Sequence, residues 1–189
     1  TRSGLLQRDG DVVDIDGVSP LRFPGVATDS FFVAIRHRNH LAAMSEKIFS
    51  NDLIDFTVPG MNLFDFGTSK NQGYDYTGLA VKYSVINGYR ALWAGDFNAD
   101  GKLKFVNPND DQNSLFFDVL VYPDNVNSAS NYNFGYGYLQ GDFNMDGRTK
   151  YDNPNDDKNL IFSQILLYSL NTELLSNFNY FIAQLPESR

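Results

Sequence analysis

The sequence predicts a mainly β fold with short helices, built from a β-sandwich-like N-terminal part over residues 1–90 and a pair of acidic loop–helix repeats over residues 91–189. Three observations carry this expectation. The first 90 residues alternate short β-branched and aromatic runs with Gly, Pro, Asn and Asp clusters, the pattern of strands joined by turns. The chain then repeats itself: GDFNADGKLKFVNPNDDQN from Gly95 aligns with GDFNMDGRTKYDNPNDDKN from Gly141, 46 residues further on. Each copy runs into an apolar pattern, Leu115, Phe116, Val119 and Leu120 or Ile161, Phe162, Ile165 and Leu166, whose spacing gives one apolar helix face.

Taken in order, Asp11 to Ile15, Phe31 to His37, Leu53 to Val58 and Leu79 to Ile86 are the candidate strands, separated by turn signals such as Asp16-Gly17, Pro24-Gly25 and Pro59-Gly60. Leu41 to Ile48 (LAAMSEKI) is the one helical stretch expected in this half. The repeats fall near residues 95–121 and 141–167, each an acidic loop feeding an amphipathic helix. Asp110 or Asp111, and Asp156 or Asp157, stand where a helix cap is needed. Between the repeats, Tyr132 to Tyr138 alternates with period two, so a strand there places Tyr132, Phe134, Tyr136 and Tyr138 on one face. Those rings either close a core over the first sheet or form an exposed stacking platform for sugars or another chain.

Composition narrows the function. Lys and Arg number 15 against 23 Asp and Glu, a net charge of −8, which repels phosphate backbones and anionic lipid. No basic patch offsets it, so no nucleic-acid partner is expected. No apolar run approaches the ~18–20 residues that span a bilayer, and Thr1 to Gly10 lack the apolar stretch of a signal peptide; a mature or trimmed product without membrane insertion is expected. Cysteine is absent, which removes disulfides, thiolate metal sites and cysteine nucleophiles. Gly-x-Ser-x-Gly, phosphate-cradling glycine loops and His-Glu-x-x-His are also missing, and the expectation is that the chain is not an enzyme.

Aspartate and asparagine are plentiful instead, and oxygen ligands suit hard cations. Asp96-x-Asn98-x-Asp100-Gly101 and Asp142-x-Asn144-x-Asp146-Gly147 match the first half of an EF-hand calcium loop, in which positions 1, 3 and 5 converge on the ion and Gly at 6 permits the turn. Position 7 needs only a main-chain oxygen, so Lys102 and Arg148 can serve. Position 12 is Asn107 or Asn153, and the closing carboxylate is expected later, from Asp111 and Asp157, in a loop about four residues longer than the standard twelve. Asp-Gly also marks ordinary hairpin turns; two copies with identical tails favour calcium, since clustered carboxylates otherwise repel. A third calcium site is a candidate at Asp9, Asp11, Asp14 and Asp16, where an exposed strand and turn fits equally well. His37 and His40 are expected on opposite faces of a strand end beside Arg36 and Arg38, a poor cation site.

GDFNADG and GDFNMDG, each followed by a helix, resemble dockerin-type EF-hand-like repeats. Together with LLQRDGDVVDIDG (Leu5 to Gly17), FFVAIRHRNHLAAMS (Phe31 to Ser45), LWAGDFNADGK and FIAQLP (Phe181 to Pro186), they resemble a C-terminal module of secreted and cell-surface proteins of the Bacteroidota. The match covers most of the chain and is weaker over Asn51 to Val85. It implies an extracellular or cell-surface, calcium-stabilised β-rich module, found in adhesins and hydrolases exported by the type IX system, and it brings no catalytic residue. The 46-residue spacing departs from true dockerins, whose repeats are closer, which argues against a cohesin partner. Related modules carry further strands upstream, so an unpaired edge is expected near Thr1, covered by the parent protein or by a strand donated from a neighbouring subunit. Three roles follow: a self-assembling surface or filament subunit, a glycan-binding module using the Tyr132 to Tyr138 rings and Trp93, or an accessory domain of a secreted enzyme.

Overall fold

In the computed structural model, which describes residues 3–7, 11–24, 30–49, 54–84, 86–152 and 154–186, turn residues stop each β-rich run after two to five paired positions. The elements in order are β1 (Leu5–Leu6), β2 (Val12–Val13), β3 (Ser30–Phe31), β4 (Ala34–His37), β5 (His40–Met44), β6 (Ile48–Phe49), β7 (Lys82–Ser84), β8 (Tyr89–Ala91), α1 (Asp111–Leu120), β9 (Gly135–Tyr136), β10 (Arg148–Thr149) and α2 (Asp157–Leu167). The strands pair antiparallel in five two-stranded ladders: β1 with β2, β3 with β6, β4 with β5, β7 with β8 and β9 with β10. The fold is mainly β with short helices. The expected sandwich is not formed among the described residues, because a sandwich needs two facing sheets and these ladders end before a third strand joins.

Contacts divide the chain into two units, Thr1–Phe31 with Lys47–Asp52, and Phe32–Glu46 with Leu53–Arg189. This differs from a boundary near residue 90: the β4–β5 hairpin and the segment leading to β8 belong with the repeats. The first unit contains β1 with β2 and β3 with β6, and Val13 in it is buried.

Leu41 to Ile48 is not a helix. Leu41, Ala42 and Ala43 are all buried in β5, which pairs with β4, and this packing overrides the helical preference of Leu, Ala and Met. Of Leu53 to Val58, the described residues Ile54 to Val58 form no strand either. Leu53 lies outside the described residues, and Asp55 accepts from both the N–H and hydroxyl of Thr57, turning the chain as Asp does in loops. Of Leu79 to Ile86, only β7 pairs, and Val85 lies outside the described residues. Of Tyr132 to Tyr138, only β9 pairs.

The helices form where the apolar spacing places them. Asp110 and Asp156 are the N-caps, accepting from Asn113 N–H and Asn159 N–H at 2.6 Å each and so satisfying an amide that helix geometry leaves open. Leu115, Val119, Ile161 and Ile165 face the core with Leu41, Leu103, Phe143, Tyr168, Phe178 and Phe181.

The repeats lend segments to each other. Loop 1 (from Asp96) pairs with the chain after repeat 2: Lys102 bridges Ile182, Leu103 N–H donates to Phe181 at 2.9 Å and Ala183 N–H donates to Gly101 at 2.8 Å. Loop 2 (from Asp142) pairs with the chain after repeat 1, Arg148 opposite Tyr136 and Thr149 opposite Gly135. Gly135 to Gly137 become Phe181 to Ala183 on adding the 46-residue period. Rings follow the same rule: Phe105 meets Phe162 and Tyr151 meets Phe116, each at 4.7 Å, while the equivalent pair Phe97 and Phe143 meet each other at 6.3 Å. Such i-to-j and j-to-i contacts define a two-fold relation, here within one chain. Glycines before each loop permit it: a Cβ on Gly95 would meet Ile161 of α2 at 2.8 Å, and one on Gly141 would meet Leu115 of α1 at 2.7 Å.

Candidate metal centre

The two loops fold alike because the same residues direct the same turns. Asn98 and Asn144 each accept from the N–H two residues on, at Asp100 and Asp146 (2.9 and 2.8 Å), and donate to the Asn109 and Asn155 carbonyls at 3.0 Å. Asp100 and Asp146 accept in turn from the N–H groups of Lys102 and Arg148. Ala99 and Met145 sit at φ 57° and 59° and are followed by Gly101 and Gly147 at 77° and 84°. Left-handed backbone at a non-glycine residue costs energy that the surroundings must repay. This wraps the loop around its first aspartate, whose Oδ2 accepts from Gly101 or Gly147 N–H.

Asp111 and Asp157, the expected closing carboxylates, are bonded to the loop backbone. Fully buried, Asp111 accepts from Phe97 N–H and Lys104 N–H, both at 2.9 Å. Asp157 accepts from Phe143, Asn144 and Lys150 N–H. Each Asp111 oxygen accepts once and retains a second lone pair, as does Asp157 Oδ2, whereas Asp157 Oδ1 accepts from both Phe143 and Asn144. Burial, with the neighbouring aspartates adding to it, pushes the Asp111 carboxyl up to about 8, Asp157 to about 7 and Asp96 to about 6; burial also raises Asp142. Each loop therefore gathers carboxyls whose charges are poorly compensated.

Lysines compensate part of this. Lys104 Nζ lies 2.9 Å from Asp100 Oδ2 and Lys150 Nζ lies 2.7 Å from Asp146 Oδ2. With these carboxylates turned to lysine and backbone donors, no three carboxylate or imidazole side chains among the described residues are gathered around a point as an ion requires. The donor set nonetheless fits a hard cation: all its side-chain donors are Asp and Asn oxygens, and Asp96, only 5% exposed, holds a buried Oδ1 with no hydrogen-bond partner. The Ala99 and Asp100 amides support its charge without completing a bond to that oxygen.

The β4–β5 turn joins the two centres, and nothing in the sequence signalled this. The buried Asn39 accepts through its carbonyl from Gly95 N–H and Asp96 N–H (2.9 and 3.1 Å), and its Nδ2 donates to the Gln140 and Asp142 carbonyls (2.7 and 2.8 Å). Arg38 Nη2 lies 3.9 Å from Asp142 Oδ2, its Nε donates to Leu139, and its guanidinium covers the Tyr138 ring at 3.6 Å. His37 and His40 are not on opposite faces. They flank this turn as cross-strand partners with Nδ1 atoms 2.9 Å apart, and burial, then His37 and Arg38, lower His40 to about 3. Burial, followed by Arg38, lowers His37 as well, and the guanidinium stands against this pair, its Nη1 3.1 Å from His37 Nε2.

The other candidates separate. Asp16 accepts from Val18 and Ser19 N–H and the Ser19 hydroxyl, with its carboxyl lowered to about 2 chiefly by that hydroxyl, as an aspartate closing a turn does; Asp9 of the third candidate site lies outside the described residues, as does Asn153. The four alternating rings divide: Tyr132 packs against the core, whereas Phe134, Tyr136 and Tyr138 are exposed, with Arg148 over one face of Tyr136. Trp93 is committed to the interior, donating to the Leu79 carbonyl and meeting Tyr168 and Phe181 edge-on. Comparison with family models, curated proteins and solved structures returned no match.

Proposed function

We propose that the chain is a calcium-binding structural module of an extracellular or cell-surface protein, its paired EF-hand-like loops stabilised by one ion each. The observation that carries this reading is the buried Asp96 carboxylate with its unpartnered Oδ1, set in a loop whose acidic pattern occurs twice. Asp96, Asn98, Asp100 and Asp111, with the Lys102 carbonyl, would hold one ion; Asp142, Asn144, Asp146 and Asp157, with the Arg148 carbonyl, the other. To take it, Asp100 and Asp146 swing from Lys104 and Lys150. The ion supplies the positive charge that buried carboxylates lack, and without cysteine it takes the place of a covalent staple.

Binding to the folded loops alone stabilises by about 2.7 kcal/mol per site when free calcium is a hundredfold above Kd. The test is thermal unfolding and limited proteolysis in chelator against millimolar CaCl₂. A melting temperature raised by several degrees with slowed cleavage is expected, while identical curves would rule the reading out.

Within this class we favour an adhesive or self-assembling role. The exposed Phe134, Tyr136 and Tyr138 support a second reading, glycan binding by ring stacking. A glycan array with wild type and Tyr138→Ala separates them: glycan retention lost in the variant favours the second, and calcium-dependent growth in light scattering favours the first.

A further inference from the structure

We infer that the two loops fill in order, the Asp96 loop before the Asp142 loop, and that Arg38 at the turn joining them sets this order. The inference rests on the calcium reading above and concerns what makes two near-identical loops unequal. Their ligand sets match residue for residue, so the difference is sought in what surrounds the two first aspartates. Asp96 has an oxygen without a partner and no cationic side chain paired with it among the described ion pairs. Asp142 has both oxygens bonded, Oδ1 to Asp146 N–H and Oδ2 to Gly147 N–H, each at 3.0 Å, and Arg38 Nη2 stands 3.9 Å from Oδ2.

Arg38 is not a loose surface charge. Its side chain is 14% exposed beside an Asp142 side chain at 4%, and it is fixed by the Leu139 carbonyl, the Tyr138 ring and His37 Nε2 at 3.1 Å. A guanidinium stays protonated at any working pH, so it neutralises Asp142 in the empty loop and repels a divalent ion in the filled one. Burial weakens screening of that repulsion. Asn39, the next residue, carries the link: its carbonyl holds the start of loop 1 and its amide the start of loop 2. Filling loop 1 fixes Asn39 against Gly95 and Asp96 and so orders the segment from which loop 2 is built. Arg38 and Asn39 act as positioning residues.

The experiment is calorimetric titration of chelator-stripped protein with CaCl₂, using Asp146→Ala to leave loop 1 and Asp100→Ala to leave loop 2. Loop 1 alone is expected to bind at least tenfold tighter than loop 2 alone, about 1.4 kcal/mol. Adding Arg38→Gln to the Asp100→Ala chain is expected to bring loop 2 within about threefold of loop 1, whereas Arg38→Lys keeps it weak. Arg38→Met, which retains the stem over Tyr138, serves if Arg38→Gln fails to fold, and circular dichroism in chelator reports folding in each case. Equal affinities of the two single-loop chains, or loop 2 unmoved by Arg38→Gln and Arg38→Met, overturn the inference and leave the calcium reading standing. No calcium uptake by wild type overturns both.

Discussion

At the residue scale, the molecule turns on carboxyls held where their charge is costly. Asp111, Asp157 and Asp96 are raised to about 8, 7 and 6, burial being the first cause in each. In the unfolded chain they titrate near 4. Between those limits the folded state binds more protons than the unfolded one, so metal-free stability falls as pH rises from about 4 to about 8. Melting temperatures in chelator are therefore expected to drop between pH 5 and pH 8, and saturating calcium to suppress the drop because an ion favours the charged carboxylates. The first-position aspartates, the caps and the closing aspartates were legible in the sequence, because side-chain spacing along a turn is a local property. Asn39 and Arg38 were not. Their partners at 95, 96, 140 and 142 lie far along the chain, and no local pattern marks a turn that bridges two loops.

At the scale of elements, each helix ends on an asparagine clamp. Asn125 Nδ2 donates to the Val119 and Ala129 carbonyls while its Oδ1 accepts from Ala129 N–H; Asn171 repeats this with Ile165 and Leu175. The last carbonyls of a helix need outside donors, and a buried one left bare costs about 1–3 kcal/mol. Asn171→Ala is accordingly expected to lower unfolding stability by about 1–3 kcal/mol in a denaturant titration, and a change under about 0.5 kcal/mol would contradict the clamp. The pair lies at the same 46-residue spacing, past the stretch in which the repeat was recognised, and was not singled out from sequence. The helices were readable because one face stays apolar over two or three turns. The strands were readable only in part: β2, β4 and β7 fall inside Asp11 to Ile15, Phe31 to His37 and Leu79 to Ile86, but two to five paired residues carry too few alternations to mark their bounds, and LAAMSEKI misleads because burial in β5 outweighs propensity.

For the whole second unit, the organising fact is reciprocity: the segment after each repeat pairs with the other repeat's loop. Removing residues 181–186 is therefore expected to loosen loop 1, although those residues follow loop 2. Hydrogen exchange should rise at Leu103 and neighbouring amides while Thr149, paired to Gly135, keeps its protection; the reverse order would contradict the exchange. This arrangement could not be read beforehand, because Gly135-Tyr136-Gly137 and Phe181-Ile182-Ala183 share the period but no residue. The duplication named the halves and their loops; only packing showed which half completes which.

The most direct measurement is diffraction from crystals grown in millimolar CaCl₂. Strong density is expected in both loops, with oxygens of Asp96, Asn98, Asp100 and Asp111, and of their counterparts from Asp142 to Asp157, about 2.3–2.6 Å away. Loops without that density, with Lys104 and Lys150 still against Asp100 and Asp146, would contradict it.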